Sequence, residues 1–277
     1  MFKKIIIPLD GSPLAEVAIP YGEEIATRIG SDIIFLTVLP EENPDGYVNH
    51  NDYISGVLEG SRQRVKRSCE AQGTRLIDID TATRVGNPAD GILDYVRRGY
   101  QTLIVMATHG RSGLNRWAVG SIADKVIRSS IKQPLILIRA KDNAPAVRTD
   151  GLFKKTLVPL DGSPRSEVVL DSIAPAALRL KTSITLFKVV SKTAAENGSE
   201  AYLQEWCRRL SYDGIEADYA VRAGSPAEQI VDYANEKIYD LVAMSTRGQN
   251  GVSRWTLGSV AQKVLLAGST PLLLVKA

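Results

Sequence analysis

Cysteine and histidine are nearly missing from this chain, with two of each in 277 residues. Cys69 and Cys207 cannot build a disulfide framework or a cysteine-rich metal site. His50 and His109 leave little material for a histidine metal centre, so no metal-ligand set is expected. Aromatic residues make up only 6%, too few for a platform that stacks single-stranded bases. Charge of one sign is also missing. Thirty-four basic residues face thirty-one acidic ones, a net +3, and no nucleic-acid partner is expected from so small a bias. Long apolar runs do not occur. Ile5-Ile6-Ile7 and Leu272-Leu273-Leu274-Val275 fall far short of the ~20 residues that span a bilayer. Lys3-Lys4 follows Met1-Phe2 too soon for a secretory signal. These absences predict a soluble, cytoplasmic protein with no membrane partner. What is present is ordinary globular composition, 44% hydrophobic and 23% charged. At about 150 residues per domain the length predicts roughly two domains.

The chain repeats itself. Phe2-Lys3-Lys4 returns as Phe153-Lys154-Lys155, and Pro8-Leu9-Asp10-Gly11-Ser12-Pro13 returns unbroken as Pro159-Leu160-Asp161-Gly162-Ser163-Pro164, an offset of 151. Further along the offset is 138, where Gly86-Asn87-Pro88-Ala89 meets Gly224-Ser225-Pro226-Ala227. Between Val105 and Val126, 11 of 22 positions are identical to Ala243–Val264. The first copy therefore carries 13 extra residues between about Pro40 and Ser68. An insertion of that kind is expected in a surface connection, and Glu41-Glu42-Asn43-Pro44-Asp45-Gly46 has the turn chemistry for one. Residues 141–151 are polar and small with no apolar period, which reads as a linker. The predicted domains are 1–141 and 152–277. Each is long enough to own a core.

Within a copy, Ile5-Ile6-Ile7 is a continuous β-branched run, the mark of a strand buried on both faces. Ser12-Pro13 then opens a helix, with Ser12 as cap and Pro13 at the first helical position. Its apolar positions are Ala15, Ala18, Ile25 and Ile29, and Gly30 suits its exit. A second strand at Ile33–Val38, a helix over Ile54–Gln72, a strand around Ile77 and Ile79, and a helix from Asn87-Pro88 to Arg97 follow. A fourth strand, Leu103–Met106, a glycine-bearing loop, a helix from about Ser121 to Ser129 and a fifth strand, Pro134–Ile138, complete the copy. Alternating strands and helices with continuous apolar strands predict an α/β fold: two tandem doubly wound parallel sheets of five strands each. Such sheets bind ligands beyond the carboxyl ends of their strands, at the switch point. That directs attention to Asp10, Val38 and the loop after Met106.

The loop is the most informative segment. Met106-Ala107-Thr108-His109-Gly110 is followed after nine residues by Gly120-Ser121, and Met244-Ser245-Thr246-Arg247-Gly248 after nine by Gly258-Ser259. Glycines let backbone amides approach a ligand closely. Amides at a helix start carry partial positive charge and suit phosphate. Turn glycines with a plain serine cap fit the same residues.

These motifs resemble the universal stress protein family. The spacing Gly-x2-Gly-x9-Gly-Ser/Thr after the fourth strand is similar to that family's ATP-binding signature. Pro8-Leu9-Asp10-Gly11-Ser12, the Gly86-Asn87-Pro88-Ala89 element and the closing Gln133-Pro134-Leu135-Ile136-Leu137-Ile138 look like the family too. The likeness runs through both halves, with Ala107 and Ser245 standing where the signature has its first glycine. The resemblance implies an adenine-nucleotide-alpha-hydrolase-like fold, one ATP per half, with or without magnesium, and a role in stress response or signalling. It implies that Asp10 and Asp161 contact the ribose, where an Asx-turn role is the alternative. It implies that Val38 and Val189 offer main chain to the adenine, and that Met106 and Met244 pack near the base or are plain core. His109 and Arg247 would approach phosphate, aided by Arg111, although exposed arginines such as Arg116 and Arg254 are common. Pro8, Leu9, Ala107, Gly110, Gly120, Ser121 and Ile122 complete the expected set in copy one. Pro159, Leu160, Ser245, Gly248, Gly258, Ser259 and Val260 complete it in copy two. Trp117 and Trp255 are expected to anchor the loop.

No P-loop, dinucleotide fingerprint or nucleophile elbow occurs, and no general base stands beside the phosphate loop. The chemistry is that of binding, and no catalytic residue is assigned. A slow ATP hydrolase, self-phosphorylation through Ser121 or Ser259, and a structural adaptor without nucleotide remain as alternatives. The family associates through its final strands, so the resemblance implies an internal pseudo-dimer of the two halves and leaves room for a homodimer.

Overall fold

A computed structural model describes residues 2–41, 46–99, 101–109, 119–129, 132–139, 152–191, 198–246 and 257–277, with backbone alone for 46–49. The linker 141–151, Gly110, Arg111, Arg116, Trp117, Arg247, Gly248, Arg254 and Trp255 lie outside the described residues. The chain divides into two compact units, residues 1–150 and 151–277.

Unit 1 runs β1 (Lys4–Leu9), α1 (Pro13–Glu16), α2 (Ile19–Ile29), β2 (Asp32–Leu39), α3 (Gly46–Gln72), β3 (Ile79–Val85), α4 (Pro88–Arg97), β4 (Thr102–Ala107), α5 (Ser121–Arg128) and β5 (Leu135–Ile138). Its strands lie in the order β3-β2-β1-β4-β5, and every pairing is parallel. The order reverses between β1 and β4. Right-handed crossovers on either side of that reversal put α2 and α3 on one face and α4 and α5 on the other, and the two pairs pack together accordingly. Unit 1 is a doubly wound α/β sheet, with its switch point beside the exits of β1 and β4.

Unit 2 repeats the plan with β6 (Lys155–Pro159), α6 (Pro164–Leu180), β7 (Ser183–Val190), α7 (Ser199–Tyr212), β8 (Ala217–Ala223), α8 (Pro226–Glu236), β9 (Leu241–Ser245), α9 (Ser259–Ala267) and β10 (Leu272–Val275). The order within this unit is β8-β7-β6-β9-β10, again all parallel.

The central strands are apolar because both faces are covered. Ile5, Ile7, Ile33 and Phe35 have no exposed surface. In unit 2 Leu186 holds the place of Phe35, and its neighbour Phe187 is fully buried and stacked on Tyr233 at 4.7 Å. β3 is a sheet edge, and five of its seven residues are exposed, which suits its polar sequence Asp80-Thr81-Ala82-Thr83-Arg84.

Two expectations are corrected. The first helix of unit 1 is split into α1 and α2, whereas its counterpart α6 is continuous. Pro20 explains the break, since it has no N–H for the preceding turn and stands within the first two positions of the new helix. Gly30 ends that helix in the left-handed region, φ 74°. The second correction concerns the 13 extra residues of the first copy. They do not sit in a surface connection. α3 has 27 residues against 14 in α7, so the insertion lengthens a helix. At the offset of 138 Ser199 aligns with Ser61, and Gly46–Gly60 has no counterpart in α7. Arg64 pins the long helix to α2. Its Nε and Nη2 donate to the two Glu23 oxygens at 2.9 and 2.8 Å, and this forked pairing raises the Arg64 pKa.

Cys69 is buried, and its thiol donates to the Arg75 carbonyl at 3.4 Å. Cys207 is half-buried, and burial aided by Asp218 pushes its thiol up to about 11. Iodoacetamide at about pH 8 is therefore expected to modify native Cys207 at least about tenfold more slowly than the unfolded chain. Equal rates would contradict the assignment. Phe35→Ala is expected to cost unit 1 about 3–5 kcal/mol in denaturant unfolding. A loss below about 1 kcal/mol would show that the site can collapse.

Candidate functional site

The polar turn after β1 is built by its own side chains. Asp10 Oδ1 accepts from the Ser12 amide at 2.9 Å and the Ser12 hydroxyl at 2.6 Å. Ser12 Oγ in turn accepts from the Ala15 amide at 3.2 Å, capping α1. The Asx-turn role of Asp10 is thus real in geometry. Asp161 and Ser163 repeat it, with both contacts at the same 2.9 and 2.6 Å.

The exit of β4 is tied to the start of α5. The Thr108 amide donates to the Ile138 carbonyl at 2.8 Å, and the Gly120 amide donates to the Thr108 carbonyl at 2.8 Å. A Cβ on Gly120 would stand 3.1 Å from that same carbonyl, so a side chain there would crowd the clasp. Unit 2 carries the same pair of bonds, Thr246 to Val275 and Gly258 to Thr246, each 2.7 Å. Neither α5 nor α9 has a side-chain cap, because the cap position is Gly120 in one and Gly258 in the other. The first amides of each helix have no partner within it.

Between the strand exits of unit 1 lies a cavity of about 620 Å³. Pro8, Leu9 and Asp10 line it from the β1 exit, Val38 from β2, and Met106, Ala107 and His109 from β4. Gly120, Ser121 and Ile122 line it from the start of α5. The structure thus brings together every described residue of the expected first-copy set. In unit 2, Leu160, Met244 and Ser245 are buried at the strand exits. Pro159, Val189, Gly258 and Val260 are half-buried, and Asp161 and Ser259 are exposed.

Two buried polar atoms on residues of the unit 1 cavity wall lack partners among the described residues. They are the Thr37 hydroxyl, on a residue only 3% exposed, and His109 Nε2. The other His109 ring nitrogen sits 3.0 Å from the Thr108 hydroxyl, which fixes the ring. A buried polar atom without a hydrogen bond is costly.

Twelve lining residues escaped the reading of the sequence, and four of them, Thr37, His50, Tyr53 and Ile92, bear on ligand chemistry. Thr37 and Ile92 look like ordinary strand and helix core positions. His50 and Tyr53 stand in the inserted segment, which sequence pattern gave to a loop. His50 is 7% exposed, with Nε2 3.4 Å from the Thr83 hydroxyl. Among the described residues no group of three His, Cys, Asp or Glu side chains could hold a metal ion. No helix among them is long and apolar enough to cross a membrane.

A doubly wound sheet with a glycine-clasped helix start at its switch point is the frame of a ligand-binding α/β domain. Comparison with known proteins gives the family. The model of the universal stress protein family matches residues 1–139 and again residues 152–276, and the chain belongs to that family. A universal stress protein of Methanocaldococcus jannaschii, MJ0531, is 29% identical over 147 residues, covering 51% of this chain and 85% of its own. One from Mycolicibacterium smegmatis is 21% identical over 98% of this chain and 96% of its own. The crystal structure of a universal stress protein from Archaeoglobus fulgidus DSM 4304 superposes with a TM-score of 0.76 at 21% identity, covering 99% of this chain and 98% of that one. The fold is shared across its full length.

Burial lowers the His50 pKa from its ordinary 6.5. The unfolded chain then takes up this proton at higher pH than the folded one does. The stability contribution is complete above about pH 6.5 and is lost as pH falls below it. From about pH 7.5 to about pH 5.5, Tm is expected to fall more steeply in the natural chain than in His50→Gln. Parallel slopes would remove His50 from the acid response.

Proposed function

We propose that this protein binds an adenine nucleotide, ATP, across the strand exits of each unit, and that the loaded state changes how it meets partner proteins during stress. The observation that carries the reading is in unit 1. There an uncapped helix start opens onto a cavity whose wall residues Thr37 and His109 carry buried polar atoms unpartnered among the described residues. The amides of Ser121, Ile122 and Ala123 offer a phosphate the donors and the partial positive charge that it needs. His109 Nε2 is available to the same phosphates. Asp10 lines the middle of the cavity, where a sugar hydroxyl could donate to its carboxylate. The main chain at Val38, with Met106 and Ile92, suits the flat apolar faces of a base. The cavity volume lies in the range of small-molecule sites.

ATP bound here supplies a triphosphate that brings its own magnesium, which needs only one or two protein carboxylates. The residues that surround it bind and orient. None is assigned a proton transfer, so the reading is a binding module and not an enzyme. In unit 2 the same Asp161 turn and Gly258 clasp provide the frame for a second nucleotide.

Saturating ATP is expected to raise Tm, since a ligand at about 100 times its Kd contributes about 2.7 kcal/mol. Nucleotide released by heating the purified chain would be identified by chromatography. Gly120→Val should abolish loading of unit 1 by crowding the Thr108 carbonyl. No released nucleotide and no ATP-dependent shift in Tm would leave a structural adaptor. Timed ADP production that disappears in Ser121→Ala would point instead to a slow hydrolase.

A further inference from the structure

The two units share strand exits, turns and clasps, but among the described residues only unit 1 has a helical segment like Gly46–Gly60. That segment lines the cavity with His50 and Tyr53. Its position along the cavity follows from the sheet. The order β3-β2-β1-β4 puts β2 two strands from β4, about 10 Å at ordinary strand spacing. The uncapped start of α5 lies at the β4 end. His50 lies at the other end, because its Nε2 meets Thr83 of β3, and Thr83 is paired in register with Thr37 of β2. Thr37, whose buried hydroxyl lacks a partner among the described residues, lines the cavity at this end. Phosphates at α5 therefore leave the base between Val38, Thr37 and the inserted helix.

We propose that the inserted turns of α3 are a base-recognition element that only unit 1 possesses. Tyr53 supplies an apolar wall against the base, and Thr37 and His50 offer hydrogen bonds to its polar edge. The inference rests on the reading of the cavity as a nucleotide site. It goes further in making the two units unequal, with unit 1 the selective one. The physical reason is asymmetric. A buried hydroxyl that pairs with the right base is left unpaired by a wrong one, and a site built this way rejects strongly. The lowered pKa of His50 keeps its ring neutral near pH 7, able to donate from one nitrogen and accept at the other.

The test is photolabelling of the full chain with 8-azido-ATP, competed by ATP and mapped by peptide fragmentation, together with ATP and GTP titrations. ATP-competed label in unit 1 is expected within residues 46–60. His50→Ala, Tyr53→Ala and Thr37→Val should each weaken ATP binding to unit 1 at least fivefold and narrow the ratio of GTP to ATP dissociation constants, with Gly258→Val in the background to silence unit 2. Asn51→Ala, on the exposed side of the same helix, should bind as the natural chain does. Label in unit 1 that falls only outside 46–60 overturns the proposal, even if a variant fails to fold. So do variants that fold and keep both the affinity and the ratio. If unit 1 takes no ATP-competed label at all, the nucleotide reading itself fails and this inference falls with it.

Discussion

One backbone hydrogen bond organises each unit: the amide of Gly120, or of Gly258, donating to the carbonyl of the residue just past the fourth strand. It brings the start of a helix back to the strand exit from which the chain has just departed. Glycine suits the bond in unit 1, because a Cβ on Gly120 would crowd the acceptor carbonyl at 3.1 Å. A glycine cannot cap a helix with a side chain, so the same residue that closes the clasp leaves the helix start open. Closure of the loop and availability of the amides are two results of one choice of residue.

The rest of the cavity follows from the parallel sheet. All strands of a unit point the same way, so all their exits and connecting turns gather at one edge, and the reversal of order beside β1 opens a crevice there. The Asp10–Ser12 turn keeps the floor polar without using long side chains. Met106, Val38 and Ile92 keep the walls apolar. An apolar cleft with a few fixed polar groups discriminates ligands by shape first and by hydrogen bonding second.

Much of this was legible in the residues. Continuous β-branched runs gave the buried strands. Ser12-Pro13 and Asn87-Pro88 marked helix starts that the structure also caps with those side chains. The repeated spacing from Met106 to Ser121 and from Met244 to Ser259 marked the glycine-bearing loops whose ends the clasp joins. Two features were not legible, for physical reasons. The break between α1 and α2 depends on whether a helix tolerates an internal proline. Pro20 interrupts one while Pro175 sits inside the other, and local sequence does not separate the two cases. The inserted turns carry asparagine, glycine and aspartate, which favour turns when judged alone. They become helical as the leading end of a helix anchored farther on by Arg64 and Glu23. Tertiary attachment overrides weak local preference, so His50 and Tyr53 were assigned to a loop and missed as walls.

The longer helix of the first copy also bears on how such a chain can diversify. Lengthening α3 at its leading end adds surface above the strand exits while leaving the sheet, its register and the clasp untouched. After duplication, one copy can therefore acquire new ligand chemistry by growth at a helix terminus, while the other preserves the ancestral frame. If the inserted turns read the base as proposed, ligand preference and folding are separable traits, carried by different segments and open to independent selection.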